Sequence, residues 1–404
     1  MPHVRSVTVG VWLTRGSRHE SDAESGVAHF VEHMLFKGTT SRTARQIAQA
    51  IDSIGGHLDA FTSKEYASYY VKVMDEHLPL ALDLLSDLVM RPALAPADVE
   101  REQSVILEEI KMVEDAPDDL VHELFAQQFW SRHPLGRPIL GTPETVTSFR
   151  SAGLRDYFEQ TYVAPNLIVA AAGRLDHAEV RGLVERAFSD LRASASDRPV
   201  EPPVVTPGVA ARRKEIEQSH ICVGTAACAQ THPDRHATYV LNTILGGSMS
   251  SRLFQHIRED RGLAYAVYSN LMAFSDAGMM TIYAGCAPDK VNEVVSLTLA
   301  ELRELRETPV PADELARARD HLKGSLMLSL ESTSSRMSNL ARQQIYFGRH
   351  FTLDEVLSAI EQVTADDVQR VACELFRDGA VVATVVGPSE PAGLSVEQLR
   401  SVGA

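Results

Sequence analysis

Cysteine is scarce in this chain, and its placement excludes more than its number does. Cys222, Cys228, Cys286 and Cys373 form no CxxC pair and all fall in the second half, so neither a disulfide framework nor a thiolate zinc site is expected. A reducing cytoplasm is the expected setting. Long apolar runs are also missing, and nothing approaches the roughly 18 residues that would span a bilayer. The opening segment carries only the alternating run Val7, Val9, Val11, Leu13, which predicts a strand and lacks the continuous apolar stretch of a signal peptide. Basic residues are outnumbered, 39 Lys and Arg against 54 Asp and Glu, for a formal net charge of -15. A nucleic-acid backbone is thereby excluded as the main partner, because binding to it rests on clustered cations. Cationic peptides or small molecules fit better. No long polar tract marks disorder, so the chain is expected to fold throughout.

A chain of 404 residues exceeds one ordinary core and suits two domains. The clearest break is 193–211, where Ser194, Ser196, Pro199, Pro202, Pro203, Pro207 and Gly208 crowd a stretch without periodicity. It divides an N-terminal domain, 1–192, from a C-terminal domain, 212–404. Each part alternates strands with amphipathic helices and has a late apolar strand, Leu167 to Ala172 and Ala380 to Val386. The predicted class is α+β. Helices are expected over Thr43 to Ile54, His77 to Met90, Pro96 to Val113 and Ala312 to Leu330, with short strands at Tyr66 to Val73 and Met279 to Ala284.

The chemistry concentrates in His29-Phe30-Val31-Glu32-His33. Ser21 to Gly38 predicts a helix that begins near Asp22 or Glu24 and stops at Gly38, so His29 and His33 stack one turn apart and both imidazoles can face one ion. Glu32, one position out of register, can reach a water beside that ion without being a ligand. The order HxxEH is the inverzincin motif. Two surface histidines beside a glutamate would give the same pattern, so a third ligand has to decide. Glu102 and Glu109 lie seven apart, nearly on one face of the Pro96 to Val113 helix, around the apolar Val105-Ile106-Leu107. On pattern alone Glu109 stands between a ligand and a solvated acidic face to which Glu108 belongs. Gly246-Gly247-Ser248 is not a phosphate-binding motif and reads as a turn, and His57, His77 and His122 read as scattered surface residues.

Three runs, HFVEHMLFKGT at 29–39, GGHLDAFTSKEYASYY at 55–70 and EREQSVILEEIKM at 100–112, resemble the pitrilysin family of metallopeptidases. The resemblance is to its short members, similar to the β subunit of mitochondrial processing peptidase and the bacterial processing-protease-like enzymes. The likeness continues through SSRLFQHIREDRGLAYAVYS at 250–269 and HLKGSLMLSLES at 321–332, covering almost the whole chain.

The resemblance implies two homologous mixed α/β domains, each a largely antiparallel sheet packed with helices. It implies one Zn2+ per chain on His29, His33 and Glu109, with Glu102 behind the ligands and Glu32 as the base that later acts as acid. Arg258 and Tyr265 match positions that lend an arginine and a tyrosine to the active site. Asp59, Ala60, Phe61 and Thr62 match a segment that binds substrate backbone, with Asp59 where the family usually has asparagine. The chain begins at what resembles the second half of the family's first hairpin. An endopeptidase follows, taking peptides or presequence-like segments in extended form at a sheet edge and enclosing them in a chamber made by a homodimer. The net charge adds an expected preference for basic residues near the cleavage site. The competing expectations are a non-catalytic scaffold subunit of the same fold and a metal-dependent hydrolase of small amides.

Overall fold

The Val7–Leu13 alternation is a strand, but one buried on both faces, because helices cover each side of its sheet. In the computed structural model, which describes residues 1–193, 200–377, 379–389 and 394–400, two units share the chain. The first comprises 1–112, 137–201 and 328–350. Its sheet has the order β2-β3-β1-β4, with β1 (Ser6–Leu13), β2 (His57–Thr62), β3 (Ala67–Met74) and β4 (Leu167–Gly173) all antiparallel. Register follows the apolar pattern, Val9 pairing with Val71 on one side and with Ala171 on the other.

Val7, Val9, Val11 and Leu13 point into the main core of this unit, against Phe30, Val31 and Met34 of α1 (Val27–Leu35) and Leu82 and Leu85 of the nearly all-apolar α3 (Leu78–Met90). Between them in sequence lies α2 (Ala44–Asp52), whose start is closed by Thr43 and Gln46 in a capping box. The long helix α4 (Pro96–Asp115) contributes Val99 and Ile106. The other face of β1 carries Thr8, Gly10 and Trp12, and the helix Thr333–Phe347 lies across it. Thr8 Oγ1 is 2.8 Å from Thr333 Oγ1, and the Trp12 indole donates to Met337 Sδ at 3.1 Å. Gly10 is small for this reason, since a Cβ there would sit 3.0 Å from the Met337 sulfur.

The second unit comprises 113–136, 202–327 and 351–404. Its sheet has the order β5-β9-β6-β8-β7, with β5 (Val209–Arg213), β6 (Ser219–Ala227), β7 (Ala264–Ala273), β8 (Gly278–Cys286) and β9 (Val382–Gly387). Among the described residues only the β5–β9 pair is parallel. Helices Arg235–Leu245, Val291–Glu307 and Ala365–Leu375 supply Leu241, Val295 and Val368 to the core on one face. The other face is covered by α5 (Pro117–Phe129), whose Val121, Phe125 and Phe129 pack on Cys222, Tyr283 and Val382. All four cysteines are free thiols. Among the described residues no helix is long and apolar enough to cross a membrane.

The mixed, largely antiparallel fold class stands, while the unit boundaries differ from the expected 1–192, 193–211 and 212–404. α5 falls inside the expected first domain yet packs on the second sheet, and Thr333–Phe347 falls inside the expected second domain yet packs on the first. Each helix is assigned by where its apolar face is buried, which chain order does not reveal. Within the expected linker, 194–199 lies outside the described residues, and 209–211 is already strand β5.

Candidate metal centre

The HxxEH segment is helical, but it starts later than the pattern suggested. Asp22–Glu24 forms a single 3-10 turn, and α1 begins only at Val27 because Gly26 adopts φ +93. A Cβ at Gly26 would lie 2.8 Å from the Leu140 carbonyl oxygen and from Gly141 Cα, so glycine is required by conformation and by space. The orphan N–H groups at this helix start are taken by buried Glu20, whose carboxylate accepts from Gly26 N and Ala28 N at 2.8 Å each. Burial pushes Glu20 up to about 7 against the lowering effect of those two donors.

On α1 the rings of His29 and His33 stand 4.6 Å apart, inclined at 62°. Both present Nε2 to one carboxylate on α4, with His29 Nε2 3.7 Å from Glu109 Oε2 and His33 Nε2 3.6 Å from Glu109 Oε1. These gaps exceed a hydrogen bond and suit a small ion. Donors about 2.1 Å from a tetrahedral zinc stand about 3.4 Å from one another. The ligand atoms of His29, His33 and Glu109 all lie within 4.8 Å of each other, and theirs is the only such His, Cys, Asp and Glu group among the described residues. The donor set, two imidazoles and a carboxylate, therefore fits zinc in chemistry and spacing.

Protonation states agree with that fit. Burial, with the neighbouring His33 second, pushes His29 down to about 4, so its ring is neutral near pH 7 with a lone pair to give. His33 Nδ1 lies 3.1 Å from Glu102 Oε2, so its N–H donates to that carboxylate and the lone pair stays on Nε2. Glu102 is 3% exposed and its other oxygen is 2.7 Å from Lys37 Nζ. The one-heptad offset between Glu102 and Glu109 puts the first beneath His33 and the second between the two rings. Lys37 was not singled out from the sequence, although it lies four residues after His33 in the same run.

Glu32 points beside the pair. Its carboxylate accepts from the Thr62 hydroxyl at the end of β2, and burial raises its pKa above the ordinary carboxylate range. Of the segment expected to touch substrate, Asp59 and Phe61 line the exposed face of β2 together with His57, while Ala60 and Thr62 face inward together with Leu58. Among the described residues β2 is an edge strand, paired only with β3. Asp59 accepts from Tyr70 OH at 3.0 Å and from Ala60 N at 2.8 Å, and lies 3.6 Å from His57 Nε2.

Arg258 and Tyr265 belong to the second unit and meet each other there. Arg258 sits on a π-helical turn, Phe254–Glu259, and its guanidinium lies 4.9 Å from the Tyr265 ring centre and 4.7 Å from that of Phe254. The Glu259 carboxylate is 3.5 Å away. Tyr265 stands at a bulge that opens β7 and is 80% exposed, outside the core of its unit.

Comparison with known proteins adds an independent line. Residues 1–143 match the model of the insulinase family, peptidase family M16, and 148–322 match that of the peptidase M16 inactive domain. The chain is 42% identical over 388 residues to an uncharacterized zinc protease of Bacillus subtilis, YmxG, covering 96% of this chain and 94% of that one. It is 40% identical over 410 residues to an uncharacterized zinc protease of Mycobacterium tuberculosis strain H37Rv, covering 100% of this chain and 93% of that one. In fold it is similar to a protease from Helicobacter pylori, with TM-score 0.89 at 22% identity over 95% of this chain and 94% of that one. A structure described as the peptidase M16 inactive domain from Pseudomonas fluorescens gives TM-score 0.89 at 20% identity over 96% and 94%.

Proposed function

The chain belongs to the insulinase family of peptidases, family M16, and from that premise we propose that it is a zinc-dependent endopeptidase with the roles that follow. The observation that carries the proposal is the convergence of His29, His33 and Glu109 on one ion-sized gap with Glu32 beside it. Zinc held there supplies Lewis-acid polarisation of the scissile carbonyl and makes a nearby water more acidic. Glu32 removes the proton of the attacking water and delivers it to the leaving amide nitrogen, acting first as base and then as acid. Glu102 and Lys37 hold His33 in the tautomer and direction that coordination needs.

Substrate binds as an extended strand along the free edge of β2, where main-chain hydrogen bonds supply affinity and the exposed His57, Asp59 and Phe61 meet its side chains. Asp59 adds a negative charge there and favours basic residues in the peptide. Arg258 holds a substrate backbone carbonyl and Tyr265 stabilises the developing oxyanion, in keeping with their pairing and the exposure of the tyrosine. The working form is a homodimer that encloses the peptide in a chamber, and an active monomer in analytical ultracentrifugation would contradict this.

The test is metal content together with cleavage of a fluorogenic peptide library, under chelation and zinc add-back. Wild type is expected to hold about one zinc per chain and to cleave. Glu32→Gln should keep zinc and lose turnover by about 100-fold or more, and Glu109→Gln should lose both. Wild type without metal or cleavage would favour the scaffold reading.

A further inference from the structure

A glutamate side chain has three rotatable bonds, so a base that must face one water needs something to hold it. We infer that Thr62 is a positioning residue for Glu32, kept in place by a buried network that reaches the helix Thr333–Phe347. The inference rests on the peptidase reading above. Thr62 is the last residue of β2, and its hydroxyl donates to Glu32 Oε2. A β-branched side chain on a strand has few rotamers, so its hydroxyl direction follows the backbone closely. With the Thr62 proton committed to Oε2, Oε1 is the oxygen left for proton transfer.

The backbone at Thr62 is pinned. Thr62 pairs with Ala67, and the turn between them is closed by Ser63 N donating to Tyr66 O at 2.8 Å. The segment after β1 clamps this turn, Ser17 N donating to Ser63 O at 3.2 Å and Arg18 N to Lys64 O at 2.7 Å. The approach is so close that a Cβ on Gly16 would lie 2.3 Å from Ser63 O. Beneath the turn Glu65 is buried, one oxygen 2.7 Å from the Arg18 guanidinium and the other accepting from Tyr346 OH at 2.9 Å. Glu65 and Tyr346 are 281 residues apart in sequence. A buried carboxylate holds its place only while its partners remain, so this network ties the turn to two other parts of the unit. Its effect on catalysis runs through Thr62, and it ends on the same strand whose outer edge takes substrate in the proposed reading.

Thr62→Val keeps the branched shape and removes the donor, Thr62→Ser keeps the donor, and Tyr346→Phe loosens the network from its far end. With a fluorogenic peptide, Thr62→Val is expected to lower kcat by about 10-fold or more, the loss for a hydrogen bond to a charged group. KM and zinc content should stay near wild type. Thr62→Ser should recover most of the kcat, and Tyr346→Phe should lower it in the same direction by less. Infrared difference spectra of the zinc-free protein give a readout independent of turnover. The carboxylate band that Glu32→Gln removes should shift in Thr62→Val and return in Thr62→Ser. A Thr62→Val enzyme with unchanged kcat and an unshifted band overturns the positioning role alone, as does a defect confined to KM or to zinc content. Wild type that neither binds zinc nor cleaves overturns the peptidase reading and this inference with it.

Discussion

Glu102→Gln separates the proposed support behind His33 from the proposed zinc ligand itself. In the wild type the Glu102 carboxylate is 3% exposed and serves two partners, His33 Nδ1 at 3.1 Å and Lys37 Nζ at 2.7 Å. Both partners are donors, so both need an acceptor. Glutamine has the same shape but offers one oxygen and one NH2, so either His33 or Lys37 must face a donor. Lys37 is partly exposed and can turn to water, so the amide oxygen stays with His33. What is lost is the negative charge that makes the imidazole a stronger ligand and fixes its direction. Losing the carboxylate behind a metal-binding imidazole weakens metal binding by about 10- to 100-fold, or about 1.4 to 2.7 kcal/mol. A charge-assisted hydrogen bond is worth about 1.5 to 3 kcal/mol, which agrees. The assay is competition against a chromophoric zinc chelator near neutral pH at fixed ionic strength. Glu109→Gln, which removes a proposed ligand, should weaken binding further than Glu102→Gln. An unchanged zinc Kd in Glu102→Gln, or a larger loss there than in Glu109→Gln, would refute the order of ligand and support.

Two further outcomes follow from the structure around α1. Gly26→Ala forces a positive φ on alanine and brings its Cβ to 2.8 Å from Leu140 O, so unfolding free energy should fall by about 2 to 4 kcal/mol in urea titration; an alanine variant of wild-type stability would contradict the strained start of the helix. In the zinc-free protein His29 is pushed down to about 4 by burial, whereas the unfolded chain protonates near 6.5, so the unfolded state binds more protons between those values. Stability from His29 is thus present above about pH 6.5 and is lost as pH falls toward 4. Glu20, raised to about 7, acts with the opposite sign between 4.5 and 7, so the comparison that isolates His29 is wild type against His29→Asn. The variant should show a flatter fall in denaturation midpoint below pH 6.5, and parallel curves would count against a buried neutral His29.

What could be read from residue order is what depends on short-range periodicity. The i, i+4 spacing places His29 and His33 on one side of any helix, and a seven-residue spacing does the same for Glu102 and Glu109, so these four are candidates before any fold, while the choice of Glu109 as third ligand rests on the resemblance of the runs at 29–39 and 100–112. The alternation Val7, Val9, Val11, Leu13 predicted a strand for the same reason. The helix start was misread because Asp22 and Glu24 resemble N-terminal capping residues, while the constraint on Gly26 comes from Leu140 and Gly141, which are distant in sequence. The compact units cross the expected boundaries because α5 and Thr333–Phe347 are amphipathic helices, and only burial assigns each to a sheet. The roles of Lys37, Glu20 and Glu65 were silent as well. A charged residue in a sequence reads as solvated surface until the fold shows its partner, and pairing across tens to hundreds of positions leaves no periodic trace. Sequence alone therefore determined which groups could form the metal centre and which elements would carry them. Tertiary structure decided which carboxylate faces both imidazoles, which one stands behind, and what holds Glu32, because those are matters of distance between elements that only packing brings together.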